Sequence, residues 1–282
     1  MKYKQVLIAL NFLLLSNISY SSIRALNIAA TGMSSQEENV SNISNNIANV
    51  NTIGFKKNRT EFEDLTYYTA REAGSRSSGD SKYAVGIQYG TGAKVSGIKK
   101  DFTIGNPTLT NNPFDLMIQG DGFFGVLLAN NTIKYTRDGS FSVNRNGTLV
   151  TKKGFSVFPT INIPPGTVNV KISSSGTVEA YLKDQIEPVN VGVIPIFTFN
   201  NPPGLKSVGG NLYEITLTSG PPVEQIGGQN NAGEIMQGAL ESSNVSIMTE
   251  MTDLIKAQRS YEMNSKVMTI ADQMLQTINN IR

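Results

Sequence analysis

Three acidic side chains close to residue 60 are the first candidates for chemistry in this sequence. Glu61, Glu63 and Asp64 could supply the two carboxylates of glycoside hydrolysis, a reaction that needs neither histidine nor cysteine. They accompany apolar residues such as Phe62 and Leu65, and acidic side chains are mostly exposed in folded proteins. We therefore interpret them as the solvated face of an amphipathic segment, and a glycosidase remains the enzymatic alternative.

A glycine motif is the second candidate. The segment from Gly120 to Gly125 satisfies G-x-G-x-x-G, the fingerprint of dinucleotide-binding folds. A pyrophosphate site requires a helix to begin directly after this motif, whereas Val126 to Leu128 and the next residues indicate a strand and a turn. We therefore predict a β-turn between aromatic strand residues, and no nucleotide site.

A third segment has some features of a calcium-binding loop. It runs from Ser142 to Lys153 and contains asparagines and a glycine. Ser142 stands where such a loop begins with aspartate, and Lys153 stands where the bidentate glutamate belongs. The sequence therefore predicts no calcium site.

The composition excludes most other enzyme chemistry. The 282 residues include no cysteine and no histidine, which removes thiolate nucleophiles, imidazole catalysis and the usual ligands of zinc, haem and iron–sulfur clusters. The 24 basic and 22 acidic residues give a net charge of +2 and are scattered along the chain, so nucleic acid is not an expected partner. With 39% hydrophobic residues the chain is expected to fold, and we predict no enzyme, no metal and no cofactor.

Apolar residues repeat every seven positions at both ends of the chain. A second row follows three residues later, interrupted only by Gln36 near the start and Asn264 near the end. These spacings place both rows on one stripe of an α-helix, the seam that a coiled coil buries. The terminal helices are expected to pair with each other, with neighbouring copies, or with both. The predicted assembly seam comprises Leu26, Met33, Val40, Ile43, Ile47, Val50, Leu254, Tyr261, Met268, Ala271, Leu275 and Ile278, and the same rows include Ala29 and Ala257.

Turn and strand signals fill the middle of the chain. Dipeptides that favour tight turns, such as Asp138-Gly139 and Asn146-Gly147, separate short apolar runs between about residues 102 and 217. This pattern predicts a meander of antiparallel strands. Residues 71–97 are rich in glycine and serine and predict an extended arm with short strands.

These observations predict an α+β fold, with long N- and C-terminal helices pairing as a coiled coil around a central antiparallel β-rich core. The first helix is expected from Ser22 to Val50, and Gly54 favours its termination. We interpret Lys56 and Lys57 as cations that complement the helix dipole in a solvated turn. The predicted domains are residues 22–55 with 243–282 as a helical domain, 56–101 as a linker or arm, and 102–242 as the β-rich core.

Residues 1–21 differ in composition from the rest of the chain. Lys2 and Lys4 precede an apolar run from Val6 to Leu15, and small residues lead to a possible cleavage point after Ser21. This is the pattern of a secretory signal peptide, and the run is too short for a permanent bilayer anchor. Two alternatives stay open: an upstream sequence before a start near Ser22, or an uncleaved apolar extension of the first helix.

Both ends of the chain resemble one protein family. The segment from Asn45 to Lys56 closely resembles the N-terminal signature of bacterial flagellar rod and hook proteins, and the segments Glu241 to Val245 and Gln258 to Lys266 resemble their C-terminal signature. The family-signature residues are Asn46, Ala48, Asn49, Gly54, Phe55, Asn244, Gln258, Arg259, Tyr261 and Asp272. Within the family, the chain length and the segments 86–92, 118–124, 135–141 and 210–214 are most like those of the distal rod members.

The resemblance implies a structural function. Subunits of this kind polymerise head-to-tail into a helical tube, with the terminal helices as its inner layer and residues 71–97 reaching a neighbouring subunit. The expected role is a hollow drive shaft in the flagellar basal body that spans the periplasm and transmits torque from motor to hook. Expected partners are further copies of the chain, proximal rod and hook subunits, basal-body ring proteins and the flagellar export apparatus.

Three alternatives remain beside this one. The chain could be a proximal rod or hook protein of the same family, or a secreted β-rich adhesin or surface-binding module. The segment 1–21 is the departure from the family, whose members are normally exported through the flagellar apparatus without a cleaved signal peptide.

Overall fold

The computed structural model describes residues 2–78, 81–183, 185 and 187–280. The chain divides into two compact units. The first, here called the helical unit, comprises Met1–Asn45, Arg59–Lys99 and Met248–Arg282. The second, here called the β body, comprises Asn46–Asn58 and Lys100–Ile247. Terminal helices together with a β-rich body confirm the α+β class predicted from the sequence.

Two long helices correspond to the two heptad segments. Helix α1 runs from Lys2 to Ala48 and helix α2 from Ile247 to Asn280. The first helix therefore starts well before the predicted Ser22, although Met1 and the side-chain surroundings of the segment up to Ser22 lie outside what the structure describes. Within the described residues, neither helix is long and apolar enough to cross a membrane.

Burial along both helices follows the seven-residue repeat. On α1, Ala29 and Ile43 are buried, and the other seam residues are half-buried. On α2, Ala257 and Ala271 are buried, the remaining seam residues are half-buried except Tyr261 at 44% exposure, and most other positions are exposed. The helices come close at Gly32, where an added Cβ would lie 2.7 Å from Nδ2 of Asn264.

The predicted arm is a long two-stranded ribbon in the helical unit. Its strands pair as β1 with β6, β2 with β5 and β3 with β4, with bounds β1 Asn58–Asp64, β2 Tyr67–Arg71, β3 Arg76–Ser78, β4 Ser81–Lys82, β5 Ile87–Gly90 and β6 Ala93–Lys100. The ribbon lies along α1. Ser35 Oγ donates to the Ala93 carbonyl at 3.0 Å, and the Arg24 guanidinium lies 4.0 Å from the centre of the Tyr89 ring. A two-stranded ribbon is marginal alone, so α1 supplies the surface that stabilises it.

Short antiparallel strands build the β body, as the turn dipeptides predict. A seven-stranded sheet has the order β11-β12-β13-β9-β10-β19-β18, β14-β15-β16 form a three-stranded sheet, and β7-β22, β8-β21 and β17-β20 are pairs. The bounds are β7 Pro107–Leu109, β8 Leu116–Gln119, β9 Phe124–Leu127, β10 Ile133–Thr136, β11 Phe141–Val143, β12 Leu149–Thr151, β13 Ser156–Phe158, β14 Thr167–Ile172, β15 Thr177–Leu182, β16 Val189–Val193, β17 Ile196–Thr198, β18 Lys206–Gly209, β19 Leu212–Glu214, β20 Val223–Gln225, β21 Glu234–Gln237 and β22 Ala239–Glu241.

Two hydrophobic clusters fill the interior of the β body. The larger is aliphatic and includes Leu116, Val157 and Ile194. The smaller is aromatic, and its Phe123 ring meets the Tyr213 ring edge-to-face with centroids 5.7 Å apart. Edge-to-face contacts add about 0.5–1.5 kcal/mol each to the burial of the rings. The Phe123 ring of the aromatic cluster contacts Arg137, a residue of the site that the next subsection describes.

A buried ionic junction at the chain crossings

The chain passes between the two units at four places, after residues 45, 58, 99 and 247. Asparagine side chains bind the β-body sides of these crossings to one another. Asn46 donates from Nδ2 to the Asn58 carbonyl at 2.8 Å, and its Oδ1 accepts from the Asn58 N–H at 2.9 Å. Lys100 Nζ then donates to Asn58 Oδ1 at 2.9 Å. Three of the four crossings are therefore joined through Asn58.

Asn244 ties in the fourth crossing, which leads to α2. Its Oδ1 accepts from the Lys57 N–H at 2.8 Å, and its Nδ2 donates to the carbonyls of Asp101 at 2.9 Å and Thr103 at 3.2 Å. The Asp101 N–H in turn donates to the Lys57 carbonyl at 2.9 Å. A single amide thus satisfies backbone groups from two other segments, which fixes the position of each.

A buried ionic triad lies next to these asparagines. Lys56 Nζ lies 2.6 Å from Glu241 Oε1, and Arg137 Nη1 lies 3.5 Å from Glu241 Oε2. Lys56 also donates to the Thr103 carbonyl at 2.6 Å, and Glu241 Oε1 accepts from the Gly105 N–H at 2.9 Å. All three charged side chains are at most 1% exposed. Buried charges need to be paired and hydrogen-bonded. Here the three charges are paired, but among the described residues Glu241 Oε2 accepts no hydrogen bond and Arg137 Nε donates none.

The triad carries two positive charges and one negative charge. Burial, with the Arg137 charge, holds the pKa of Lys56 below its usual value, and Glu241 opposes this shift. Burial also lowers the pKa of Arg137 and raises the pKa of the Tyr213 hydroxyl to about 12. The Arg137 guanidinium lies 5.3 Å from the centre of the Phe123 ring. The negative face of that ring partly offsets the excess positive charge.

Gly54 places the segment 46–58 against the strands of the β body. Its N–H donates to the Glu241 carbonyl at 2.8 Å, and its φ is +66°. A Cβ at this position would lie 2.6 Å from the Asp138 nitrogen. The Asn211 side chain donates to the Ile53 carbonyl at 2.9 Å on the preceding residue. Only glycine combines this conformation with so close a backbone approach.

The structure corrects one sequence interpretation and adds two residues. Lys56 was expected in a solvated turn, but it is fully buried, because it pairs with a carboxylate from the other end of the chain. Its neighbour Lys57 is half-buried and lies 3.6 Å from Asp101. Glu241 lies within a recognised terminal segment, so its position gave some signal. Arg137 lies in the segment 135–141, which also resembles the family, so its position gave a similar signal.

The family-signature residues fall into three groups. Asn46, Gly54 and Asn244 belong to the junction, and the Phe55 ring lies 5.5 Å from Lys100 Nζ beside it. Tyr261 belongs to the heptad seam. The other signature residues on the helices, Ala48, Gln258, Arg259 and Asp272, are exposed. Arg259 pairs with Glu262 at 2.9 Å, and Asp272 accepts from Gln276 at 3.1 Å. Asn49, half-buried just after α1, accepts from Thr52 at 3.1 Å.

The carboxylates considered for catalysis are spread over an exposed strand. Glu61 pairs with Arg59 at 3.0 Å and Glu63 with Lys94 at 3.8 Å, and all four side chains are largely exposed. Such surface pairs contribute little to stability. In the described parts of the chain, no group of three or more acidic side chains is arranged to hold a metal ion. The G-x-G-x-x-G segment forms the turn between β8 and β9.

The segments that adjoin the two terminal helices, residues 46–58 and 241–247, both lie in the β body, and long helices with heptad-patterned burial continue from them. This combination defines the chain as a protein of the helix–β-core–helix type. Three family models match it: "Flagella basal body rod protein" over residues 26–56, "Flagellar hook protein FlgE/F/G D1 domain" over 117–180, and "Flagellar basal body rod FlgEFG protein C-terminal" over 236–281.

Curated relatives extend the match to almost the whole chain. Proteins named flagellar basal-body rod protein FlgG are 43% identical over 259 residues in Buchnera aphidicola subsp. Schizaphis graminum and 45% identical over 261 residues in Caulobacter vibrioides, each covering 92% of this chain and 100% of the relative. The FlgG of Borreliella burgdorferi is 43% identical over 262 residues, covering 92% and 99%. The chain belongs to the flagellar basal-body rod protein family, which confirms the resemblance seen in its terminal segments.

Proposed function

We propose that this chain is a structural subunit of the distal rod of the bacterial flagellar basal body. It polymerises helically into a hollow drive shaft that transmits torque from motor to hook, and it has no catalytic role. The observation that carries the proposal is the near-complete match to FlgG proteins, with the junction formed by segments that two of the rod-family models match.

The exposed surface supports assembly. Large apolar side chains contribute to this surface. On α2 they form a stripe away from the seam, with spacings of four, three and four residues, comprising Met263, Val267, Ile270 and Met274 at 45–67% exposure. We propose that neighbouring copies cover this stripe in the rod.

We propose that α1 and α2 pair as an antiparallel coiled coil along the predicted seam. The contact of Gly32 with Asn264, whose numbers add to 296, supports a register in which facing seam residues have numbers that add to 297, because Asn264 then faces Met33, the neighbour of Gly32. In an antiparallel pair, each first-row residue then faces a second-row residue. This register sets large residues against small ones, which agrees with the near-complete burial of the alanines. The facing pairs are Leu26 with Ala271, Ala29 with Met268, Met33 with Asn264, Val40 with Ala257, and Ile43 with Leu254.

The domain organisation and the partners follow from this proposal. Residues 22–55 and 243–282 form the helical domain, 56–101 the arm and 102–242 the β-rich core, with the arm contacting a neighbouring subunit. The chain contacts proximal rod and hook subunits and basal-body ring proteins, and it interacts with the export apparatus during assembly. Residues 1–21 act as a signal peptide if the chain reaches the periplasm by a separate route.

Substitutions in the seam test the assembly proposal. We expect Leu254→Asp or Ile47→Asp to abolish rod assembly and motility, because a charge on the seam is left without a partner when the helices pair. The β body should stay folded, since Leu254 lies outside it and Ile47 is only half-buried. Ser260→Asp places the same charge on an exposed position of α2 and should assemble normally. Normal motility with the seam variants would overturn the proposal.

The location of the chain can be tested separately. Mass spectrometry of purified basal bodies should find the protein there, with an N-terminal peptide that identifies the mature start. A terminus near Ser22 would mean that the first segment is removed or never translated. Absence from basal bodies, with a chain processed after Ser21 and free outside the cytoplasm, would contradict the rod assignment.

A further inference from the structure

We propose that the ionic junction is a mechanical clamp through which load on α1 enters the β body. The proposal rests on the proposed function for its biological meaning, because only a torque-transmitting subunit is loaded in service. The argument itself depends on chain connectivity and on contacts within the β body.

The connectivity makes the junction necessary. Residues 46–58 belong to the β body, yet both of their covalent neighbours, Asn45 and Arg59, belong to the helical unit. This segment is therefore held in the β body by non-covalent contacts alone. If only the α1 chain and its direct continuation are followed, a pull on the end of α1 reaches the sheets either through those contacts or by way of the whole ribbon to Lys100. The contacts form the shorter path.

The contacts on this path are short, and one of them joins two ionised side chains. From the segment, Gly54 and Lys56 bind Glu241, and Lys57 binds Asn244. Hydrogen bonds with ionised partners are roughly twice as strong as neutral ones. The ammonium and carboxylate are buried, so pulling them apart exposes unpaired charge in a region of low dielectric. Residues 241–244 lie directly before α2, so the same bonds connect the two helix ends by the shortest route.

Because the sequence contains no cysteine, single cysteines can be introduced at chosen positions to attach the linkers of a force measurement. Single-molecule force measurements on the full chain would use Ser44→Cys with Met248→Cys, both exposed, to pull across the junction. A second pair, Ala129→Cys with Lys183→Cys, also exposed, pulls on strands of the β body outside the junction. The lifetime before rupture at constant force is measured for each pair.

Two variants weaken the junction to different extents. Glu241→Gln removes the shared carboxylate, and we expect it to shorten the lifetime across the junction by at least about tenfold. Asn244→Ala leaves the ionic triad intact and removes the hydrogen bonds of one amide, so we expect a shortening of about threefold or more. As a control, Glu224→Gln removes an exposed charge from β20 of the same β body. It should change the lifetime in neither pulling direction.

The two pulling directions decide the outcome. A clamp requires that both junction variants shorten the lifetime across 44–248 much more than across 129–183. Equal shortening in both directions would mean that the junction only contributes to the overall stability of the β body. No shortening across 44–248 would mean that the junction does not carry the load. Either result would overturn the proposal. These measurements need no rod, so their failure is distinct from a failure of the rod assignment, which basal-body composition tests.

Discussion

The charge arrangement of the triad predicts that its members contribute unequally. Lys56 and Arg137 share one carboxylate, that of Glu241. Glu241→Gln leaves two buried positive charges facing each other, whereas Lys56→Met leaves a balanced Arg137–Glu241 pair. The loss of the carboxylate should therefore destabilise the β body more than the loss of the lysine, although both changes break the same 2.6 Å bond.

The magnitudes follow from the neighbours that each change leaves behind. Removing one partner of a buried ion pair costs about 3–5 kcal/mol when its counterpart stays charged and unpaired, and we expect this for Glu241→Gln. After Lys56→Met, Glu241 Oε1 still accepts from Gly105 and the Thr103 carbonyl still accepts from Asn244. The expected loss is then about 1–2 kcal/mol, that of ordinary hydrogen bonds.

A double variant gives the strongest test of this reasoning. In the Glu241→Gln background, Lys56→Met removes one of two repelling charges and should restore part of the lost stability, so its effect changes sign. Urea unfolding followed by tyrosine fluorescence gives the free energies of unfolding, and Glu224→Gln should stay within about 0.5 kcal/mol of the native chain. A loss for Lys56→Met equal to or larger than that for Glu241→Gln, or a further loss in the double variant, would refute the argument.

Two further predictions concern the same region. Burial raises the pKa of Tyr213 to about 12 from 10.0, so the folded state holds this proton more tightly than the unfolded chain. The contribution of the protonated hydroxyl to stability is complete below pH 10 and is lost as the pH rises from 10 through 12. Urea unfolding at pH 9 and pH 11.5 should show an alkaline loss that Tyr213→Phe reduces by about 2 kcal/mol, and an unchanged alkaline loss in that variant would contradict the assignment. Gly54→Ala should cost about 3 kcal/mol or more, since its Cβ meets backbone, whereas Gly154→Ala, at φ +81° with nothing within 4 Å, should cost only about 1 kcal/mol; equal midpoints of urea unfolding for the two would show that the close approach at Gly54 is unimportant.

Periodic and local features of the fold were accessible from the sequence. The heptads indicate both helices, because a stripe of apolar side chains must be buried whatever lies opposite. Turn dipeptides such as Asn146-Gly147 indicate the antiparallel strands, because few residues other than glycine allow the positive φ that Gly147 adopts between the paired strands β11 and β12. Asp138-Gly139 instead joins β10 to β11, which do not pair with each other. The position of the ribbon along α1 was not accessible, since it depends on isolated contacts such as that of Ser35 with Ala93.

The junction was the least predictable part of the site. Lys56 and Glu241 each lie in a terminal segment that resembles the family, but no sequence pattern in either segment indicates that the two side chains pair. With 24 basic and 22 acidic residues, the sequence offers hundreds of possible pairs, and most such charges are exposed. The burial of Lys56 results from tertiary packing around Glu241, which no local pattern encodes.

The pairing of Lys56 with Glu241 also has a consequence for the time order of folding. The two residues are 185 positions apart, so closing this contact requires a very long loop, whose entropic cost must be met before the contact contributes. A chain emerging from the ribosome cannot form it until more than four-fifths of its length is available. The ionic contact therefore forms late in synthesis, although the same segment can form its contacts with Asn58 and Asp101 much earlier.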